Sequence, residues 1–188
     1  MFNALCGIPR TIMIAVLAFI FLAPGQALAG SAAALDRDGR AALKDLYATT
    51  PAAKEIAPRA EAVLVFPRVV KAGLVVGGQY GEGVLIKGGK SAGYYHTVEA
   101  SYGLQAGGQA FGYALFFMTD EALKYLDDSA GWEIGTGPTV VVVDEGFAKS
   151  LSSTTLKDDI YAFFFNQKGL MAGLGLKGSK ITKFTPDQ

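Results

Sequence analysis

Between Ala62 and Phe117 short apolar stretches alternate with glycine pairs, and this texture limits the possible folds more than any other feature of the chain. Val63, Val65, Val75, Val84, Ile86, Tyr94, Tyr102 and Phe111 read as members of short strands broken by glycine. The sequence holds 24 glycines, and a glycine within a strand costs backbone entropy and offers no side chain to pack. That density implies tight curvature and close backbone approach, hence a coiled, barrel-like antiparallel sheet. Lys87-Gly88-Gly89-Lys90 is the clearest hairpin turn, because both glycines can take positive φ. Gly77-Gly78-Gln79 and Gly107-Gly108-Gln109 echo one another, but a single echo does not make a repeat architecture.

Helices flank and interrupt this sheet. The alanine-rich stretch from Gly30 to Ala60 places Leu35, Ala42, Leu43, Leu46 and Tyr47 on one stripe at helical spacing. Thr50 is positioned to cap a second short helix that has Pro51 at its first position, and Pro58 ends or kinks it. Thr119 followed by Asp120 and Glu121 predicts a short inserted helix near residues 119–127. Strands resume with Thr139 to Val143, a β-branched run that suggests burial on both faces. Ile160 to Phe165 and Leu170 to Phe184 complete the sheet. The expected fold is therefore α+β: a mostly antiparallel, glycine-rich, barrel-like sheet (residues 61–188) behind a helical N-terminal segment (30–60), with no linker between them.

Residues 1–29 read as a signal peptide. Arg10 precedes an apolar run from Thr11 to Ala23, Pro24-Gly25 breaks it, and Ala27-Leu28-Ala29 supplies a cleavage site. The run is short for a bilayer span, which needs roughly 20 residues. Cleavage after Ala29 implies an exported, periplasmic protein. Cys6 lies ahead of the apolar run, so it is not a lipoprotein cysteine, and the mature chain of about 160 residues has no cysteine for a disulfide, a thiol nucleophile or a metal. The core alone must hold it together.

Charge balances at 17 basic and 17 acidic residues, which argues against nucleic acid as a partner. The motifs of enzyme chemistry are mostly accidental. Gly89-Lys90-Ser91-Ala92-Gly93 fits G-x-S-x-G, but strand-like sequence follows it. His96, the single histidine, is too near on the same segment to act as a base. Gly83 to Ser91 has one residue too many for a phosphate-binding P-loop, and no helix follows. Gly173 to Gly178 satisfies G-x-G-x-x-G with too little chain left for a crossover helix. Asp36-Arg37-Asp38-Gly39 begins like a calcium loop, yet the twelfth position is Tyr47. Asp127-Asp128, Asp144-Glu145 and Asp158-Asp159 are sequence neighbours rather than convergent pairs. The expectation is a protein that is not an enzyme and carries no metal or other cofactor.

Basic side chains gather in three places. Arg37, Arg40 and Lys44 form a ridge beside the apolar stripe of the first helix, an amphipathic pattern suited to a membrane interface. A second group comes from turns: Arg68 and Lys71 around Pro67, and Lys87 and Lys90 beside the hairpin glycines. Lys177, Lys180 and Lys183 make a third group. Phe116-Phe117 and Phe163-Phe164-Phe165 break strict alternation, so each puts a ring on the outer face, where it docks on the N-terminal helices, joins an oligomer or meets acyl chains.

Four blocks in order then carry a family resemblance: Tyr80-Gly81-Glu82-Gly83-Val84-Leu85, Ala100-Ser101-Tyr102-Gly103-Leu104-Gln105, Gly131-Trp132-Glu133-Ile134 with Gly137-Pro138, and Asp158-Asp159-Ile160-Tyr161-Ala162-Phe163-Phe164-Phe165 continuing through Asn166-Gln167-Lys168-Gly169-Leu170-Met171-Ala172-Gly173. From about Ala60 to Phe184 the chain resembles the SYLF domain family of lipid-binding modules. The resemblance implies affinity for phosphoinositide-like anionic lipid, in some members for actin, with the lipid contact at the N-terminal edge, here Leu35 to Arg59. The expected function is non-enzymatic binding of anionic phospholipid or a membrane surface through Arg37, Arg40, Lys44, Arg68, Lys71, Lys87 and Lys90. The alternative is an envelope interaction module whose outward aromatics meet a protein partner or form a homo-oligomer.

Overall fold

The computed structural model describes residues 31–73, 76–102, 107–128, 131–144, 156–169 and 176–187. The leader, including Cys6 and the cleavage site, lies outside these residues, as do Glu145 and 170–175.

Helix α1 spans Ala32–Thr49. Ser31 caps it, its Oγ accepting from the Ala34 N–H at 3.3 Å. It ends at Thr50, which is extended because Pro51 excludes the helical conformation from the residue before it. Pro51 then opens α2 (Pro51–Ile56), and a single 3-10 turn over Ala57–Arg59 leads into the sheet. Strands β1 (Ala62–Gly73), β2 (Val76–Lys87), β3 (Lys90–Tyr102) and β4 (Gly107–Phe117) form an antiparallel meander. Helix α3 (Asp120–Asp128) follows, then β5 (Trp132–Glu133), β6 (Val140–Val142), β7 (Ile160–Gly169) and β8 (Lys180–Phe184). The sheet is eight-stranded in the order β5-β8-β3-β2-β1-β4-β7-β6, a half-barrel that is antiparallel except where β6 joins β7. The α+β expectation holds. The hairpin turn is as read, with φ of 56° at Gly88 and 77° at Gly89, and Thr119 caps α3 through its Oγ and the Ala122 N–H.

Both faces of the sheet carry a core. On the inner face Leu64, Phe66, Leu85, Tyr95, Tyr113, Leu115 and Phe117 pack with Leu123 and Leu126 of α3 and with Trp132. On the helix face Leu43, Leu46, Ala53 and Ile56 of α1 and α2 cover Val63, Val65, Phe116, Phe163 and Phe165. The off-pattern phenylalanines therefore do dock on the N-terminal helices, with Phe116 and Phe163 meeting edge to face at 5.2 Å.

Two local readings need correction. Arg68 and Lys71 do not sit on a turn around Pro67: β1 runs through, and a register shift between Val65 and Arg68 accommodates a proline that has no N–H for the ladder. The Thr139–Val143 run is not buried on both faces. Its strand β6 is the last in the sheet, so Val140 and Val141 are half-buried and Val142 is exposed.

Candidate functional site: a cationic groove between helix and hairpin

Helix α1 lies on the helix face at the end where β2 turns into β3. Gly39 lets it approach: a Cβ there would collide with Val84 Cγ1 of β2. Polar bonds fix the crossing. Tyr94 of β3 donates to Asp36 at 3.0 Å. Arg40 donates through Nη1 to the Gly89 carbonyl at 2.9 Å and through Nη2 to Ser91 Oγ at 3.3 Å. The helix is thus docked on the sheet.

Below it opens a groove of about 530 Å³, lined by Arg40, Leu43, Lys44 and Tyr47 of α1, the Ala57–Val63 approach to β1, and Ile86, Gly88 and Gly89 of the hairpin. The walls are mainly apolar. Two cations face one carboxylate, Glu61, among the lining residues. Burial raises the Tyr47 phenol above its ordinary value, so it stays neutral at physiological pH. An amphiphile with an anionic head suits such a surface better than an extended charged polymer.

The seven basic residues expected to bind lipid divide. Arg40 and Lys44 line the groove, and Lys87 and Lys90 stand exposed beside its Gly88–Gly89 rim. Arg37 points elsewhere and pairs with Asp38 at 2.9 Å. Arg68 is exposed on β1, well along the sheet. Lys71 is buried on the inner face, its Nζ 3.1 Å from Glu99 Oε1. It belongs to a polar row in which Gln109, Lys71, Gln79 and Glu99 are register partners across β4, β1, β2 and β3. Ser179 donates to Glu99 at 3.0 Å, while the side-chain oxygens of Gln79 and Gln109 are buried without a partner. Nothing in the local sequence marks Lys71 as different from Arg68. Alternation alone puts residues an odd number of positions apart on opposite faces.

The other chemical motifs dissolve into structure. Ser91 holds Arg40, whereas His96, five residues on along β3, packs between Tyr80 and Phe184. No cluster of three or more metal-ligating side chains occurs among the described residues. Asp127 at the end of α3 accepts from Tyr95 at 2.7 Å and from Lys183 at 3.1 Å. Burial works against its charge, but these two bonds and the nearby Lys87 outweigh it and hold its carboxyl below the usual range. The residues that carry the family resemblance prove to be joints. Asp159 Oδ2 accepts from Thr139 N and Oγ1, both at 2.9 Å, tying β6 to β7. The Tyr161 hydroxyl accepts from the N–H groups of Lys157 and Asp158, and Trp132 Nε1 donates to the Thr136 carbonyl.

Fold and groove together define a class: a half-barrel α+β binding domain whose cationic groove is built by a docked N-terminal helix. Residues 98–186 match the family model described as Ysc84, Las17-binding protein actin regulator. This segment, just under half of the chain, belongs to the SYLF domain family. No curated protein matches the chain. Among the described residues no helix is long and apolar enough to cross a membrane.

Proposed function

We propose that this chain is a non-enzymatic lipid-binding protein of the cell envelope whose groove holds an anionic phospholipid by its head group. The single observation that carries the reading is the groove itself: apolar walls from Leu43, Tyr47, Ala62, Val63 and Ile86, with Arg40 and Lys44 at its edge and Lys87 and Lys90 nearby. Arg40 is held in place by the hairpin, so little freedom is lost when a phosphate docks. Lys44 is free to swing toward the ligand and makes no hydrogen bond or ion pair with another described residue. The family description names a Las17-binding protein and actin regulator; we take the chain to be exported, where it would meet neither Las17 nor actin, and propose lipid as the ligand.

The test is a titration with monomeric short-chain phosphatidylglycerol, compared with the phosphatidylcholine of equal chain length. Lys44→Glu changes the local charge by two units, each worth about 1 kcal/mol near an anionic group, which is about a 30-fold loss of affinity. Equal binding of both lipids, or an unchanged affinity in Lys44→Glu, rejects the groove as the site.

A further inference from the structure

Helices α1 and α2 cover only half of their face of the sheet. Beyond Val65 and Phe165, toward the strand ends remote from the hairpin, no helix among the described residues covers that face. Its register can be read across the sheet: Lys168 of β7 pairs with Ala110 of β4, Ala110 with Val70 of β1, Val70 with Tyr80 of β2, Tyr80 with Val98 of β3, and Val98 with Lys180 of β8. This row has an apolar centre and a lysine at each end. One row further out, Gly108, Ala72, Gly78 and Ala100 are partners and all exposed. Val70, Val76, Tyr80 and Val98 are between 42% and 68% exposed, far above what a valine in a packed sheet shows. One row inward stand Arg68 and Glu82.

The hairpin end, by contrast, holds Arg40, Lys44, Lys87, Lys90, Asp127 and Lys183.

We infer that the bare strand ends dip into the interface of an anionic bilayer, with Val70, Val76, Tyr80 and Val98 entering the acyl boundary and Lys168, Lys180 and Arg68 at head-group level. Three observations select this occupant. The row is about 25 Å from lysine to lysine at ordinary strand spacing, and its apolar part, over β4, β1, β2 and β3, is about 15 Å across, wide enough to contact more than one lipid. A lysine stands at each end of the row; Glu133 is the register partner of Lys180 and Glu82 that of Arg68, which leaves a net charge of plus one, and long lysine stems let ammonium groups stay in water while their bases lie in lipid. Tyr80, whose hydroxyl donates to Glu82 at 2.7 Å on the side of the charged row, offers the amphipathic ring favoured at this depth. A second copy fits worse: a two-fold axis along or across the strands sets lysine rim against lysine rim. The inference does not need the groove, which lies at the other end.

The experiment uses site-resolved labels. In the full chain carrying Cys6→Ser no other cysteine remains, so Val76→Cys, Val98→Cys and Lys90→Cys can each carry one environment-sensitive fluorophore. With vesicles of phosphatidylglycerol and phosphatidylcholine, the labels at 76 and 98 should shift to the blue and be quenched by nitroxide lipid, while the label at 90 stays aqueous. Tyr80→Glu with Val98→Glu, both at exposed positions, should weaken vesicle binding about tenfold or more and leave the titration with monomeric lipid unchanged. A blue shift at 90 but not at 76 overturns the inference and gives the bilayer to the hairpin end. Burial of the 76 label with a doubled mass and no vesicles present overturns it in favour of a dimer. Loss of monomeric-lipid binding with the 76 label still in the bilayer removes the groove reading alone.

Discussion

Replacing Glu99 by glutamine should destabilise the protein by about 3 kcal/mol, toward the lower end for breaking a buried pair from one side. The pair with Lys71 has side chains only 11% and 13% exposed and a separation of 3.1 Å. At an effective dielectric of about 20 its Coulomb attraction is about 5 kcal/mol, and the cost of taking both charges out of water offsets much of that. Glutamine keeps the size of the side chain and can still bond Ser179, but it leaves the ammonium buried with no counter-charge. For a chain of this length each kcal/mol moves the melting temperature by about 2–4 °C. The expected drop is therefore about 6–12 °C in a thermal melt followed by circular dichroism. The double variant Lys71→Met with Glu99→Leu, which removes both charges, should recover most of the loss, and the difference isolates the coupling between the two residues. A Glu99→Gln protein that melts within about 2 °C of the parent, or a double variant no better than the single, refutes a dry ion pair inside the sheet.

Two more outcomes can be measured on the same instrument. Asp127 has its pKa lowered by folding, so its contribution to stability is complete above the unfolded carboxylate value of about pH 4 and fades as pH falls through the lower folded value. Asp127→Asn should therefore melt lower than the parent at pH 7 and approach it at pH 3; parallel pH profiles would disprove the assignment. Gly39→Ala places a methyl against Val84 beneath α1 and should cost about 1–3 kcal/mol. Ala41, exposed on the same helix, serves as the control when changed to serine, and an equal effect at both positions would show that α1 is not held closely to β2.

The hairpin, the Thr119 cap and the apolar stripe of α1 were legible because each depends on a few neighbouring residues, whereas Thr50 makes no side-chain capping bond to α2. Gly88 and Gly89 could be read as a turn because both supply positive φ at no steric cost, and Thr119 as a cap because its hydroxyl reaches the Ala122 N–H. What escaped depends on partners far away in sequence. Lys71 looks like a surface lysine until β1 and β3 bring Glu99 within reach, 28 positions on. The valines of β6 look like a central strand because composition does not say whether another strand will pair beyond them. Of the basic residues, Arg40, Lys44, Lys87 and Lys90 came together because the docking of α1 on the hairpin was partly written in the amphipathic stripe. The bare half of the helix face could not be read at all, since it arises from how far α1 and α2 extend over strands that are longer than the helices cover.

That excess length has a geometric consequence. Strands β1 and β2 are twelve residues each and run about 40 Å from tip to tip. A molecule standing on a leaflet by its valine tip would carry its groove well clear of that leaflet's phosphates. Whatever the groove holds would then arrive from solution or from a facing surface. In that posture the sheet is a stalk, and its length fixes the gap the protein can reach across.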